Sequence, residues 1–245
     1  MKTHLIFFLL LFPLLFFLMY QKIFAQNSDP EVLIQLNKFF NHEYGLDQKL
    51  ISGIQYYNKN PRALGNEFLG SGDFADGRLV LNGKEYNDVK IRYDIYNQRI
   101  NLRFNYDSSA ANTVIIENYK IDEFEMNGML FMKSCYSGYD TSFYQVIAEG
   151  RISCLYYWYK DLTLQTSLRN VYEYSEPRKK FYLLVDSTLT RYTGNITFLK
   201  LFNETKPEVR KYLRKNQIKL RYASDKTVAN LVSFCNSLSY QAAEK

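Results

Sequence analysis

The sequence predicts a mainly β fold of the α+β class. We expect an antiparallel meander closed as a sandwich or half-barrel, with one N-terminal helix and two to three C-terminal helices. Tyr and Phe, which strands favour, number 22 and 18 among 245 residues. Many short segments alternate apolar and polar residues between turn dipeptides. Helical periodicity is confined to the two ends of the mature chain.

Residues 1–25 have the layout of a secretory signal peptide. Lys2 precedes an apolar run from Leu5 to Met19, and the small residue Ala25 stands before a polar stretch. The run is shorter than the ~20 residues that span a bilayer, and a proline interrupts it. We therefore expect an exported protein with no transmembrane span after cleavage, which is periplasmic, outer-membrane-associated or extracellular.

Two segments follow the leader. Residues 26–194 are expected to hold the first helix and the antiparallel β domain, and residues 195–245 a helical segment packed on the sheet. Asp29 and Pro30 provide an N-cap followed by proline at the first helical position, which begins a short amphipathic helix.

The clearest hairpin signal is Asn82-Gly83, the dipeptide that most readily forms a type I′ turn. In the strand after it, alternation predicts a buried face and a wet face. The residues expected on the buried face are Val89, Ile91, Tyr93 and Ile95. Those expected on the wet face are Lys90, Arg92 and Asp94.

Strand patterns recur along the chain, for nine to eleven strands in all. A second Asn-Gly turn stands at Asn127-Gly128. Residues 61–77 hold a proline and four glycines and predict a loop or an irregular edge. The other segments with a strand pattern are residues 49–58, 113–119, 121–126, 129–136, 143–159, 170–175 and 180–186.

The pattern changes to helical near Asn195. Residues 196–202 lack a turn signal, Pro207 begins a second helix that runs to about Lys215, and Ser224 or Asp225 begins a third. The residues that share the apolar face of the third helix are Val228, Leu231, Val232, Cys235 and Leu238.

Few groups suit metal, cofactor or nucleic-acid chemistry. After the leader, His42 is the single histidine, and we expect no metal and no cofactor. The net charge of +6 falls to +4 once Lys2 and Lys22 leave, which is too little for a nucleic-acid partner. The basic run at 207–222 is interpreted as the wet face of a packed helix, with weak attraction to an anionic envelope surface as its alternative.

The three cysteines show no ligand spacing. If residues 129–136, 143–149 and 151–158 form a meander, Cys135 and Cys154 lie two strands apart, roughly 9 to 10 Å. A disulfide needs Cα atoms within about 7 Å. We therefore predict three free thiols.

Carboxylates are the abundant catalytic groups, and paired acids can cleave glycosidic bonds. We interpret these acids as solvated side chains on loops and strand faces, and expect no catalytic residue. The acids concerned are Asp73, Asp76, Asp94, Asp122, Glu123 and Glu125.

The most distinctive segment is the aromatic run of Tyr156, Tyr157, Trp158 and Tyr159. Successive residues of a strand face opposite sides, so one pair should fill the core. The other pair could form an amphipathic surface that binds sugars, peptides or a partner protein. Simple packing beneath the helices is the alternative.

Three stretches together resemble a family of exported proteins, with no assigned activity, from Bacteroidota-type bacteria. They are "GRLVLNGKEYNDVKIRYDIYNQRINL", "KIDEFEMNGMLF" and "SFYQVIAEGRISCLYYWYKDL". The likeness covers about residues 65–162, with a looser match at "FLKLF" and in the last helix. It implies export and a sheet-rich fold, and it transfers no site residue.

These observations favour a non-catalytic binding or accessory protein of the cell envelope, with an envelope protein or a glycan as partner. One alternative is a carboxylate-based hydrolase of a glycan or envelope polymer. The other is a carrier that holds an apolar ligand inside a half-barrel. Clustered acids would favour the hydrolase, a deep apolar cavity the carrier, and an exposed aromatic patch the binding protein.

Cleavage near Ala25 is the first testable prediction. N-terminal sequencing of the exported protein is expected to begin at or near Gln26, because the small residue at position 25 ends the leader. Recovery of an intact chain from Met1, embedded in membrane, would contradict it.

Overall fold

A computed structural model describes residues 47–105, 111–168 and 170–243. The predicted signal peptide, the helix beginning at Asp29 and His42 lie outside the described residues.

Short strands dominate the described residues, and the helices lie mostly near the C-terminus. The four α-helices are α1 (Gln48–Ile51), α2 (Asn195–Leu199), α3 (Lys206–Lys215) and α4 (Asp225–Ala243). The strands are β1 (Gly53–Gln55), β2 (Ala75–Leu81), β3 (Lys84–Asp94), β4 (Arg99–Phe104), β5 (Asn112–Ile116), β6 (Ile121–Met126), β7 (Met129–Ser134), β8 (Ser142–Ala148), β9 (Ile152–Tyr159), β10 (Leu162–Gln165), β11 (Val171–Tyr174), β12 (Arg178–Val185) and β13 (Thr188–Tyr192).

Eleven of these strands form one antiparallel sheet in the order β1-β5-β4-β3-β2-β6-β7-β8-β9-β12-β13. Strands β10 and β11 form a separate hairpin. The sheet is not closed into a barrel. The predicted fold class, mainly antiparallel β with helices, is confirmed.

Both Asn-Gly dipeptides form the predicted hairpin turns. Asn82 and Gly83 have φ values of 49° and 77°, and Asn127 and Gly128 have 53° and 70°. A type I′ turn requires positive φ at both central residues, which Asn and Gly tolerate best. These turns set the registers of β2 with β3 and of β6 with β7.

The first part of the sheet curls around an aromatic core. Tyr93 in β3 contacts Phe143 in β8, with ring centroids 5.9 Å apart. Three strands separate β3 from β8, so a flat sheet would place them about 19 Å apart. Gln98, in the turn after β3, also donates its Nε2 to the carbonyl of Trp158 in β9 at 2.9 Å. These contacts require the strongly curved, open sheet of a half-barrel.

A second core lies on the same face of the sheet beyond β8. There the C-terminal helices cover the sheet, whereas in the first core the curved sheet packs against itself. Cys154, Tyr156 and Leu183 of the sheet pack against Phe198 of α2, Val209 of α3 and the apolar face of α4. That face carries the predicted residues Val228, Leu231, Val232 and Cys235, all buried, and the partly buried Leu238.

Asn236 of α4 fixes the helix to the start of β9. Its Oδ1 accepts a hydrogen bond from the Ile152 N–H at 2.8 Å, and its Nδ2 donates to the Ile152 carbonyl at 2.9 Å. Asn236 is buried, and its side chain approaches Gly150 so closely that a Cβ there would lie 2.5 Å from Nδ2. The β8–β9 turn therefore requires glycine at this position.

Two details differ from the sequence prediction. The strand expected over residues 49–58 is reduced to β1 and preceded by α1, because Leu50 is buried on a single helical turn. Asp94, expected on a wet face, is only 4 % exposed. The reason is that the irregular segment 61–77 covers this end of β3, where Phe68 pairs with Asp94.

None of the three cysteines, all of which lie within the described residues, forms a disulfide, as predicted; Cys154 and Cys235 are buried and Cys135 is exposed. Among the described residues, no helix is long and apolar enough to cross a membrane.

Removing the Asn236 side chain tests how α4 is held. Asn236→Ala leaves the N–H and the carbonyl of Ile152 buried without partners, which should lower the free energy of unfolding by about 2–4 kcal/mol. Urea denaturation measures the change. Ser237→Ala is the control, because its hydroxyl is exposed and bonds only within the helix, to the Phe234 carbonyl. Equal stability of the two variants would contradict the proposed anchoring.

Candidate functional site

The aromatic run predicted to bind a partner lies in β9, and its residues face opposite sides of the sheet. Tyr156 and Trp158 face the cores. Tyr156 is 1 % exposed, and Trp158 donates its Nε1 to Gln145 Oε1 at 2.7 Å. Lys179 lies over both rings, with Nζ 4.4 and 5.1 Å from their centroids. Tyr156 is interior, Trp158 is half-buried, and both have structural partners.

Tyr157 and Tyr159 face the outer side of the sheet and are partly exposed. Their ring centroids are 6.2 Å apart and their planes are nearly parallel. Lys180 of the neighbouring strand β12 places Nζ 5.4 Å from one ring and 4.9 Å from the other. The two rings and the cation form one amphipathic patch.

Four more tyrosines extend this patch. Tyr136 and Tyr139, in the segment between β7 and β8, fold over Tyr144 of β8 and Tyr182 of β12. Tyr144 and Tyr182 are 3 % and 4 % exposed, whereas Tyr139 is 36 % exposed. We call the six residues the tyrosine surface: Tyr136, Tyr139, Tyr144, Tyr157, Tyr159 and Tyr182.

Burial favours the protonated form of three phenols of the tyrosine surface. It raises the pKa of Tyr157, with a smaller contribution from the negative charge of Asp140. Burial likewise raises the pKa of Tyr144 and of Tyr182, with neighbouring tyrosines adding to the effect. These hydroxyls therefore act as hydrogen-bond donors and acceptors beside apolar rings, a combination enriched at protein interfaces.

Sequence reasoning found only part of this surface. Tyr157 and Tyr159 stood out because they are adjacent to other aromatic residues. Tyr182 joins them only through the pairing of β9 with β12, which places it opposite Leu155. Since β10 and β11 intervene in the chain, no local pattern could reveal this pairing.

Most of the candidate acids lie in exposed ion pairs or turns. Asp76 pairs with Lys90 at 2.6 Å, and Asp122 accepts a hydrogen bond from the Gly83 N–H at 2.7 Å. Arg78 lies between acids on β3 and β6, at 3.8 Å from Glu85, 2.6 Å from Glu123 and 4.0 Å from Glu125.

Asp73 and Asp76 line one open groove of about 450 Å³. Asp73 accepts a hydrogen bond from the Ser71 hydroxyl at 2.7 Å, and both acids are exposed. No group of His, Cys, Asp and Glu side chains within the described ranges could hold a metal ion.

Asp94 of β3 and Glu67 of the segment 61–77 form a buried polar centre where this segment covers the strand. Asp94 accepts hydrogen bonds from Tyr96 N–H at 3.1 Å and from Asn97 N–H at 2.8 Å. Burial raises the pKa of Asp94 and these hydrogen bonds oppose the rise. Glu67 is 5 % exposed and accepts the Tyr56 hydroxyl at 2.5 Å.

Cations complete this buried centre. Arg92 places its guanidinium 4.7 Å from the Tyr56 ring centroid and 3.8 Å from that of Phe68, and burial lowers its pKa. Lys160 donates Nζ to the Asn66 carbonyl at 2.7 Å, and burial lowers its pKa as well. These groups tie the segment 61–77 to the sheet. Sequence reasoning missed Glu67, because nothing local signals burial of an acid in a Gly-rich stretch.

In comparisons with family models, with curated proteins and with solved structures, nothing matches this chain. The resemblance to exported proteins of Bacteroidota-type bacteria therefore stays a prediction.

The Tyr56 hydroxyl should be important for stability. Tyr56→Phe removes a donor from the buried Glu67, which should lower the free energy of unfolding by about 1–3 kcal/mol. Tyr57→Phe is the matched control, since Tyr57 is 68 % exposed and bonds only to exposed Gln55. Urea denaturation of both variants distinguishes them, and equal stability would show that the Tyr56–Glu67 bond contributes nothing.

Proposed function

We propose that this protein is an exported, non-catalytic binding or accessory protein of the cell envelope. Its tyrosine surface is the binding site, and the partner is an envelope protein, with a glycan as the alternative ligand. The observation that carries the proposal is the partly exposed pair Tyr157 and Tyr159, bridged by Lys180 and surrounded by further tyrosines.

The position of this surface supports binding. The opposite face of the sheet is occupied by two cores, whereas on the outer face at β8, β9 and β12 six tyrosine rings lie in contact with one another. Tyrosine side chains bring a large contact area with few rotatable bonds, and interface hot spots are enriched in them. Exposed Arg191 on β13, beside Tyr182, adds a second cation.

The carrier alternative has less support. A carrier needs an empty interior, whereas the curled part of the sheet is filled by aromatic and aliphatic side chains that are 0–1 % exposed. Those residues include Tyr93, Phe124, Phe131 and Phe143.

The hydrolase alternative rests on the groove lined by Asp73 and Asp76. A general acid needs a carboxyl in an environment that favours its protonated form, which burial typically provides. Both of these acids are exposed, and Asp76 forms an ion pair with Lys90. The third candidate acid, Asp94, is 4 % exposed beneath the segment 61–77, so a polymer does not reach it. This arrangement favours the binding interpretation.

Site-specific cross-linking tests the proposal. In cells that produce the protein, a photoreactive phenylalanine analogue replaces Tyr159. In a control strain it replaces Tyr119, which is 71 % exposed and does not belong to the tyrosine surface. We expect a discrete cross-linked product from position 159 alone. Protease or glycosidase treatment of that product identifies the partner as protein or glycan.

Affinity for the captured partner should then depend on the exposed tyrosines. Tyr139→Ala combined with Tyr159→Ala is expected to weaken binding by roughly tenfold or more, as for hot-spot tyrosines. The control is Tyr57→Ala combined with Tyr119→Ala, which removes two exposed tyrosines elsewhere. Equal effects of the two double variants would contradict the proposal. Polymer cleavage lost in Asp73→Asn, Asp76→Asn or Asp94→Asn, with folding retained, would establish the hydrolase instead.

A further inference from the structure

A basic groove lies between α2 and α3, on a part of the molecule that the proposed function does not use. Its volume is about 690 Å³. Leu199, Leu213 and Ile218 form its apolar floor. The basic side chains that line it are Lys200, Lys206, Arg210, Arg214 and Lys219.

The groove has a strong excess of positive charge. Five of its eleven lining residues are basic and none is acidic. Glu204 and Glu208 belong to the same segment but do not line it. Within the described ranges, no ion pair joins any of the five cations to a carboxylate. Such an arrangement attracts anions, because a concave surface of one sign concentrates the opposite charge.

Hydrogen bonds hold the walls of the groove together. Asn195, at the start of α2, donates Nδ2 to the Ile218 carbonyl at 2.6 Å and accepts the Leu220 N–H at 2.9 Å. These bonds join α2 to the segment after α3. The backbone that carries the cations is therefore positioned by the fold.

The surroundings indicate which anion fits. Ile196, on the rim, is 78 % exposed, and Tyr222 is 80 % exposed. Tyr222 belongs to the turn that begins at Lys219, closed by a hydrogen bond from its N–H to the Lys219 carbonyl at 2.9 Å. Exposed aliphatic and aromatic side chains next to lysines and arginines are typical of surfaces that enter the interfacial layer of a membrane.

We propose that this groove binds the phosphate groups of anionic lipids at a membrane surface. Arginine and lysine contact the phosphate oxygens, and Ile196 and Tyr222 insert among the headgroups. The inference stands apart from the proposed function, because the groove shares no residue with the tyrosine surface.

Vesicle co-sedimentation of the purified protein tests the proposal. The probes are vesicles of phosphatidylcholine alone and vesicles of an equal mixture of phosphatidylcholine and phosphatidylglycerol. We expect saturable binding to the mixed vesicles only, which weakens as salt is added. Absence of binding to the mixed vesicles would overturn the proposal.

Helix α3 offers a matched control. Arg210→Ala with Arg214→Ala removes two cations of the groove, whereas Lys211→Ala with Lys215→Ala removes two exposed cations of the same helix outside it. The first pair is expected to weaken vesicle binding by roughly tenfold or more. The second should change it little. Equal weakening would show a diffuse basic surface and overturn the assignment to the groove.

Two further measurements test the insertion of Ile196 and distinguish a membrane lipid from a soluble anion as the ligand. Ile196→Ser should weaken binding to the mixed vesicles without changing the charge, and no effect would overturn the insertion step. Titration with inorganic phosphate should show no saturable binding. Saturable binding of phosphate without binding to vesicles would assign the groove to a soluble anion and overturn the membrane proposal.

Discussion

The ring of Tyr93 meets the rings of Phe124, Phe131 and Phe143, with centroids 5.2–5.9 Å apart. The contact of Tyr93 with Phe143 joins β3 to β8, which a flat sheet would keep about 19 Å apart, so the curvature of the sheet depends on it. Curvature lets the first eight strands bury their own apolar face with little help from helices. The helices at the C-terminus are then needed only where the sheet extends beyond this curl.

The two faces of the sheet are consequently used in different ways. One face carries both large cores, and the other is mostly polar, with exposed ion pairs such as that of Asp76 with Lys90. One exception on the outer face is the part of β3 that the segment 61–77 covers, and the other is the end formed by β8, β9 and β12. Buried Tyr144 and Tyr182 are covered there by a loop that carries Tyr136 and Tyr139, which leaves other tyrosines at the boundary with solvent.

Local sequence signals predicted the features that depend on neighbours in the chain. Asn82-Gly83 fixed one hairpin, and the alternation after it correctly placed Val89, Ile91 and Tyr93 in the core. Features that depend on distant contacts could not be predicted. The pairing of β2 with β6 and of β9 with β12 brings together segments far apart in the chain.

The residues of the candidate site likewise fall into those that local sequence signals predicted and those that depend on distant contacts. Tyr157 and Tyr159 were visible in the sequence, whereas Tyr144 and Tyr182 required the register of three strands. The burial of Asp94 and Glu67 depends on how the segment 61–77 folds back on β3, and that fold is irregular. The basic run at 207–222 was interpreted as the wet face of a packed helix, and only its first part, to Lys215, lies on α3. Only its position against α2 turns part of it into a groove.

An open sheet of eleven strands has two edges, and unpaired backbone groups at an edge invite growth by addition of further chains. Here the sheet tapers, with an eleven-residue strand β3 inside it and edge strands of only three residues in β1 and five in β13. Arg191 adds an exposed charge on the second edge. Short edge strands offer few backbone groups for pairing with another chain, so the taper limits edge-to-edge association of a sheet that does not close into a cylinder.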